Sequence, residues 1–143
     1  MIFREANVND IPTLSEVRLS VKENVLSNPY RITYETYNDY LSDVGKGWVC
    51  ELQGRVLGFS IASLKDNSIW ALFVMPGHEG KGIGKKLLNL ATKWLFDMGA
   101  QSIILSTTMG TRADKWYELQ GWSRGEVNAD GEVQYRLYNQ RRT

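Results

Sequence analysis

The tightest constraint on this chain is one continuous stretch from Ser68 to Met98. Ser68-Ile69-Trp70-Ala71-Leu72-Phe73-Val74 is apolar almost throughout, the pattern of a strand covered on both faces. Met75-Pro76-Gly77 marks a turn, and glycine then recurs at Gly80, Gly82 and Gly84. Ile83, Leu87, Leu88, Ala91, Trp94, Leu95 and Met98 keep one stripe over about four turns, and Gly99 supplies the stop. A buried strand feeding an amphipathic helix through a glycine loop demands a sheet with helices packed on it. Glycine lets main chain approach a ligand without a side chain between. The first turn of a helix adds unpaired N–H groups and a partial positive charge. Together they suit a phosphate or a diphosphate, although a tight turn serving close packing would use the same glycines. The spacing is neither the dinucleotide fingerprint, which leaves two residues between its second and third glycines, nor a P-loop, which closes on Gly-Lys-Ser/Thr.

Before this stretch, Ile2-Phe3-Arg4 reads as a short strand. Asn9 or Asp10 is placed to cap a helix with Pro12 in its first turn, and Ile11, Leu14, Val17, Val21 and Val25 fall along one face. Asn28-Pro29 breaks that helix, and a second is expected from Thr33 to Leu41. Tyr30, Tyr34, Tyr37 and Tyr40 recur there three or four apart, so several share a face. They form either a packing face with wet hydroxyls or one wall of a ligand pocket. Trp48–Leu52 and Arg55–Ser63 are strand-like runs joined by Gln53-Gly54, a two-residue hairpin signal. Lys65-Asp66-Asn67 makes the next turn.

Beyond the long helix, Ser102–Ser106 reads as a buried strand and Thr111–Leu119 as a short helix ended by Gln120-Gly121. Strands near Trp122–Val127 and Glu132–Tyr138 flank the turn Asn128-Ala129-Asp130-Gly131, and Asn139–Thr143 reads as a polar tail. The order is strand, two helices, three strands, helix, strand, helix, two strands. It describes an α+β fold with a mixed sheet.

Composition removes several alternatives. At 143 residues the expectation is a single domain over 1–143. A formal charge of +1 makes no electrostatic case for nucleic acid or an anionic membrane. No apolar run approaches the roughly 20 residues of a membrane span and the N-terminus has no signal-peptide pattern, so a cytoplasmic protein is expected. Cys50 is the only cysteine and His78 the only histidine, which speaks against a disulfide, a thiolate zinc cluster or a His-rich metal site. Cys50 sits in an apolar run, where a packing role suits it better than nucleophilic catalysis.

Val74-x-Pro76 followed by Glu79-Gly80-Lys81-Gly82-Ile83-Gly84 resembles the acyl-CoA-binding motif of the GNAT acetyltransferase superfamily, commonly Arg/Gln-x-x-Gly-x-Gly/Ala. Arg112-Ala113-Asp114-Lys115-Trp116-Tyr117-Glu118-Leu119-Gln120-Gly121-Trp122 is similar to its C-terminal signature, and Phe3-Arg4-Glu5-Ala6 with Asn9-Asp10-Ile11-Pro12 to its N-termini. The resemblance covers essentially the whole chain in the right order. It implies a GNAT-type, three-layer α/β arrangement: a mixed, mostly antiparallel central sheet with about four helices on both faces.

The resemblance also implies acetyl-CoA as acyl donor, held by Glu79, Gly80, Lys81, Gly82, Ile83, Gly84 and Lys85 at the loop. Main chain of Leu72, Phe73 and Val74 would pair with the pantetheine arm as an added strand. A backbone N–H at that strand end would face the thioester carbonyl. Tyr117 matches the family tyrosine beside the cofactor sulfur, the general acid; a phenol of pKa about 10 can donate to a departing thiolate of pKa about 8.5. The acceptor would lie against the helical region, with Tyr30, Tyr34 and Trp70 as candidate contacts and the final hairpin beside it.

This sequence departs from the pattern in three places. Glu79 stands where Arg or Gln is usual, and a carboxylate beside a phosphate should turn away, toward a lysine or the positive end of the helix. Gly110 stands where many members have a cofactor-contacting asparagine, with Thr111 as its candidate replacement. Ser68-Ile69-Trp70 lacks the glutamate some members use as base, leaving Asp66, Glu51 and His78 as candidates.

The first functional reading is an N-acetyltransferase acting by direct attack in a ternary complex on a primary amine of a small molecule or peptide. An acyl-CoA-binding sensor of the same fold is the alternative, and nucleotide binding at the glycine loop a third. No metal is expected. Exposed strand edges and the apolar C-terminal strands would allow a homodimer.

Overall fold

The structure is a computed structural model that describes residues 1–21 and 32–140. Its strands are β1 (Ile2–Glu5), β2 (Gly45–Leu52), β3 (Arg55–Ser63), β4 (Ser68–Val74), β5 (Ser102–Thr108), β6 (Ser123–Val127) and β7 (Glu132–Tyr138). Its helices are α1 (Ile11–Ser20), α2 (Tyr34–Ser42), α3 (Ile83–Asp97) and α4 (Arg112–Leu119). One seven-stranded sheet runs in the order β1-β2-β3-β4-β5-β7-β6. All neighbours pair antiparallel except β4 and β5, which are parallel. The expected mixed, mostly antiparallel sheet with helices on both faces is therefore what the chain forms.

Two apolar layers follow from strand alternation. On one face, α3 and α4 cover Cys50, Leu57, Ile69, Ile103, Leu105, Val133 and Tyr135 with Leu87, Leu88, Ala91, Leu95 and Tyr117. On the other, α1 and α2 bring Ile11, Leu14, Val17 and Tyr37 onto Val49, Phe59, Ile61 and Ala71. The α3 stripe holds as read from the sequence except at its end, where Met98 is exposed past the last turn. Cys50 is fully buried, and burial raises its thiol pKa.

Asp10 is the N-cap residue of the first helix with Pro12 in the first turn, as read, but its side chain makes no cap bond to that helix. A short 3-10 turn, Val8–Asp10, precedes α1, and Asn7 caps it: its Oδ1 accepts from the Asn9 N–H at 2.9 Å while Asp10 Oδ2 accepts from the Asn7 N–H at 2.8 Å. That reciprocal pair is a capping box built from Asn and Asp. Val21 is already extended, so the helical stripe ends at Val17, and Val25 lies outside the described residues. The Gln53-Gly54 hairpin forms as expected, both residues having positive φ. No helix among the described residues is long and apolar enough to cross a membrane.

Candidate functional site

The site begins at an irregularity in β4. Ile61 pairs with Ala71 but its neighbour Ala62 pairs with Ile69, so Trp70 is the extra residue of a β-bulge. The bulge reverses which main-chain groups face which neighbour. Before it, the Ile104 N–H donates to Asn67 O at 3.0 Å, closing the only β4–β5 register point, Ser68 opposite Ile104. After it, Met75 donates to Leu57 O at 2.8 Å, and Phe73 lies in the same phase with its carbonyl turned toward Gly58. Leu72 and Val74 therefore turn their N–H and C=O groups the other way, into the gap where β4 and β5 have separated. Phe73 is different: its main chain is spent on β3.

The glycine loop closes the end of this gap. Gly77, Gly80 and Gly82 all have positive φ, and Gly82, at φ 81°, is the N-cap residue of α3. With no side chain at its cap, α3 leaves first-turn N–H groups for a partner outside the helix. The Ile83 side chain is buried in the core, so only its main chain can serve a ligand. Gly84 packs closely: a Cβ there would stand 3.6 Å from Val74 and 3.7 Å from Trp116. The three lysines diverge. Lys81 Nζ lies 3.4 Å from His78 Nδ1, Lys86 Nζ sits 4.8 Å above the Phe3 ring, and Lys85 lines a shallow groove with Asn89 and Lys93 along α3.

Glu79 turns back on its own loop. Its Oε1 accepts from the Gly77 N–H at 2.8 Å and its Oε2 lies 3.6 Å from Arg112 at the start of α4. Main-chain hydrogen bonds hold its carboxyl below the usual range, with Arg112 adding a smaller pull. The partner is thus an arginine across the gap and a main-chain amide, where the sequence suggested a lysine or the positive end of the helix.

Helix α4 presents Tyr117. Thr111 caps it, accepting from the Asp114 N–H at 3.3 Å, and donates its hydroxyl proton to Thr108 O at the end of β5 at 2.8 Å, so it has no proton left to donate to a ligand. Gly110 has φ 78° and donates its N–H to Asp114 Oδ2 at 2.9 Å. The Tyr117 ring is boxed by Trp116, Trp122 and Tyr135, with centroids 5.1, 6.0 and 5.7 Å away. No hydrogen bond joins its hydroxyl to another described residue, and burial pushes its pKa well above the ordinary phenol. Such a group stays protonated through neutral pH and can act as a proton donor.

On the opposite sheet face, Trp70 stacks on Tyr40 with ring centres 4.1 Å apart and meets Tyr37 edge-on at 5.6 Å. Tyr34 is 55% exposed and points away from this cluster; Tyr30 lies outside the described residues. The aromatic wall is therefore Tyr37–Trp70–Tyr40. Of the candidate bases, Glu51 pairs with Arg4 at 3.2 Å in the β1–β2 region, and Asp66 accepts from Ser68 before β4 begins. Neither reaches the open end of β4; His78 stays in the loop. The sequence reading missed Arg18, Asp114, Arg124 and Tyr135, whose partners lie far along the chain. Among the described residues no group of His, Cys, Asp and Glu could hold a metal ion.

A profile of the Acetyltransferase (GNAT) family matches residues 14–122. The chain belongs to that family. A relative from Prochlorococcus marinus, described as an uncharacterized N-acetyltransferase ycf52-like, is 24% identical over 125 residues, 85% of this chain and 67% of the relative. The PaiA N-acetyltransferase of Thermoplasma acidophilum, solved in complex with coenzyme A, superposes with a TM-score of 0.83 at 19% identity, covering 96% of this chain and 98% of that one. An N-acetyltransferase from Staphylococcus aureus Mu50 gives 0.80 at 16% identity, covering 96% and 97%. At these identities the structural likeness establishes a shared fold.

Proposed function

We propose that this GNAT protein transfers an acetyl group from acetyl-CoA to a primary amine of a small molecule or peptide, by direct attack in a ternary complex. The observation that carries the reading is the gap between β4 and β5. It has unspent main-chain groups of Leu72 and Val74 on one side and the side-chain-free N-terminus of α3 at its end; Tyr117, on α4, would bring its hydroxyl to the same gap.

These features fit coenzyme A. Main chain of the Glu79–Lys85 loop and first turn would hold its diphosphate, with Lys81 and Lys85 supplying charge. Leu72 and Val74 would pair with the amides of its pantetheine arm as a further strand does. A main-chain N–H at that strand end would donate to the thioester oxygen as negative charge gathers there. Thr111, whose hydroxyl proton is spent on Thr108 O, would contribute through main chain. In the transfer, the amine nitrogen bonds to the acyl carbon and the carbon–sulfur bond breaks. Sulfur takes the proton of Tyr117, solvent takes the proton lost by nitrogen, and solvent reprotonates Tyr117.

Acetyl-CoA incubated with a broad panel of amines, followed by thiol release, tests this directly. Release that depends on both the amine and the protein is expected. A protein that binds coenzyme A yet turns over no amine would be a sensor, and one that shows no heat with coenzyme A in calorimetry would fit neither reading.

A further inference from the structure

Arg18 occupies the last turn of α1, on the sheet face opposite α3 and α4. Its Cζ lies 5.5 Å from the centre of the Phe73 ring. It also lies near the Tyr37 hydroxyl, where its positive charge partly counters the larger upward push of burial on the phenol pKa. Two residues on, Ser20 Oγ donates to Met75 Sδ at 3.4 Å, which anchors this turn at the end of β4. That is the end where β4 and β5 have parted. Phe73, beneath the guanidinium, sits between the two residues whose main chain faces the gap. The guanidinium therefore stands beside the path by which an amine would approach an acyl group held there.

Its surroundings differ from those of the ion-paired arginines. Arg55 and Arg136 also have no ion pair among the described residues, but Arg55 is exposed and Arg136 donates to Ser102 Oγ at 2.6 Å. Arg4 is paired with Asp10 and Glu51, Arg112 with Glu79, and Arg124 with Asp114. Arg18 is half-buried, and no carboxylate of the described residues lies within ion-pair distance. A partly desolvated cation held by an aromatic ring and a phenol gains most from an anion that arrives with a ligand. The planar guanidinium matches a carboxylate in shape and charge. Beside it, the half-buried Trp70 and Tyr40, stacked 4.1 Å apart over the buried Tyr37, offer an apolar surface to the rest of such a molecule.

We propose that Arg18 is a specificity-determining residue that binds a carboxylate of the acceptor, so that the preferred acceptors are amines carrying a carboxylate, namely amino acids or short peptides with a free C-terminus. This rests on the acetyl-transfer reading for its role in turnover, but the carboxylate site itself can be read separately.

The test uses matched acceptor pairs, amino acids and their C-terminal amides, in two measurements. With acetyl-CoA, the carboxylate form of the preferred acceptor should have kcat/KM at least tenfold above its amide. Arg18→Gln should remove that preference by raising KM for the carboxylate form about tenfold or more, leaving the amide within threefold. Arg18→Lys should restore part of it. Coenzyme A affinity by calorimetry should be unchanged in Arg18→Gln, which separates a specificity role from a folding defect. Without acetyl-CoA, the same pairs are compared by thermal shift. Stabilisation by the carboxylate form alone, lost in Arg18→Gln, supports the site even if no amine is ever acetylated. Equal behaviour of acid and amide in the wild-type protein, or equal losses for both in the variant, would overturn it.

Discussion

Arg124 grips Asp114 at both oxygens, Nε to Oδ1 and Nη2 to Oδ2, each at 3.0 Å. The pair joins β6 to α4, the helix that carries Tyr117. Asp114 also accepts from the Gly110 N–H at 2.9 Å and from the buried Tyr135 hydroxyl at 2.7 Å, so one carboxylate ties together a loop, a helix and two strands. Asp114→Ala would strand the Gly110 amide and leave the Tyr135 hydroxyl only its bond to the Asp114 main-chain carbonyl, at a cost of about 3 kcal/mol. That corresponds to a melting temperature lower by roughly 10 °C. Thermal denaturation followed by circular dichroism measures it directly.

The same pair sets an acid limit. Arg124 first, then the Gly110 amide and Tyr135, hold the Asp114 carboxyl far below its ordinary range against the opposing effect of burial. A lowered folded-state pKa stabilises the protein above the unfolded value, about 4, and that contribution is lost as pH falls toward the folded one. Wild-type stability should therefore fall steeply below about pH 4, and Asp114→Asn should be less stable at neutral pH with a shallower acid slope. Urea midpoints from pH 2 to 7 for both proteins would reveal parallel slopes if the pair contributed nothing.

Glu79 places a negative charge at a loop read here as a diphosphate site. Glu79→Gln keeps an acceptor for the Gly77 amide and removes the charge, so coenzyme A should bind about threefold tighter at low salt, the gain shrinking as salt rises. Glu79→Ala also removes the acceptor, so its binding should be no tighter than wild type. Titration calorimetry at two ionic strengths distinguishes these outcomes; weaker binding by Glu79→Gln would mean that the carboxylate itself organises the loop.

Thr107 is a small test of the same cleft wall. It is 5% exposed on β5, and its hydroxyl has no hydrogen-bond partner among the described residues. An unpaired buried hydroxyl is costly, and valine has nearly the same shape. Thr107→Val should raise stability by about 1 kcal/mol in the free protein. Chemical denaturation with a midpoint at or below wild type would show that the hydroxyl is paired in solution.

The parts legible in the sequence are those set by neighbours within a few residues. The α3 stripe, the Gln53-Gly54 hairpin and the glycine loop are local patterns, and the structure places them as read apart from Met98, which falls past the end of the helix. Asp10 is the N-cap residue of α1 as the sequence suggests, whereas the 3-10 turn before it, capped by Asn7, is legible only in the capping-box spacing of Asn7 and Asp10. Tyr34 and Tyr37 could not be separated because a row three apart fits a helix face in more than one phase; only packing against Trp70 decides. The Trp70 bulge leaves no mark in a uniformly apolar run, yet it turns Leu72 and Val74 toward the gap. Asp114, Arg124 and Tyr135 meet across 10 and 21 residues of chain, beyond the reach of any periodicity.

Tyr117 carries the sharpest kinetic expectation. Its ring is held on three sides by Trp116, Trp122 and Tyr135, so Tyr117→Phe removes one oxygen and leaves the aromatic box in place. If that oxygen delivers the proton to the leaving sulfur, kcat should drop by roughly 100-fold or more while coenzyme A affinity stays within about twofold. Burial raises the phenol's pKa, which keeps the acid protonated further into the alkaline range than a free tyrosine. The wild-type rate should accordingly show no loss on raising the pH from about 8 to about 10, because the buried phenol stays protonated where a free one would be about half ionised. Rates across that range, compared with those of Tyr117→Phe, decide the role. A variant within threefold of wild type at every pH would reduce Tyr117 to a packing residue and leave protonation of the thiolate to water.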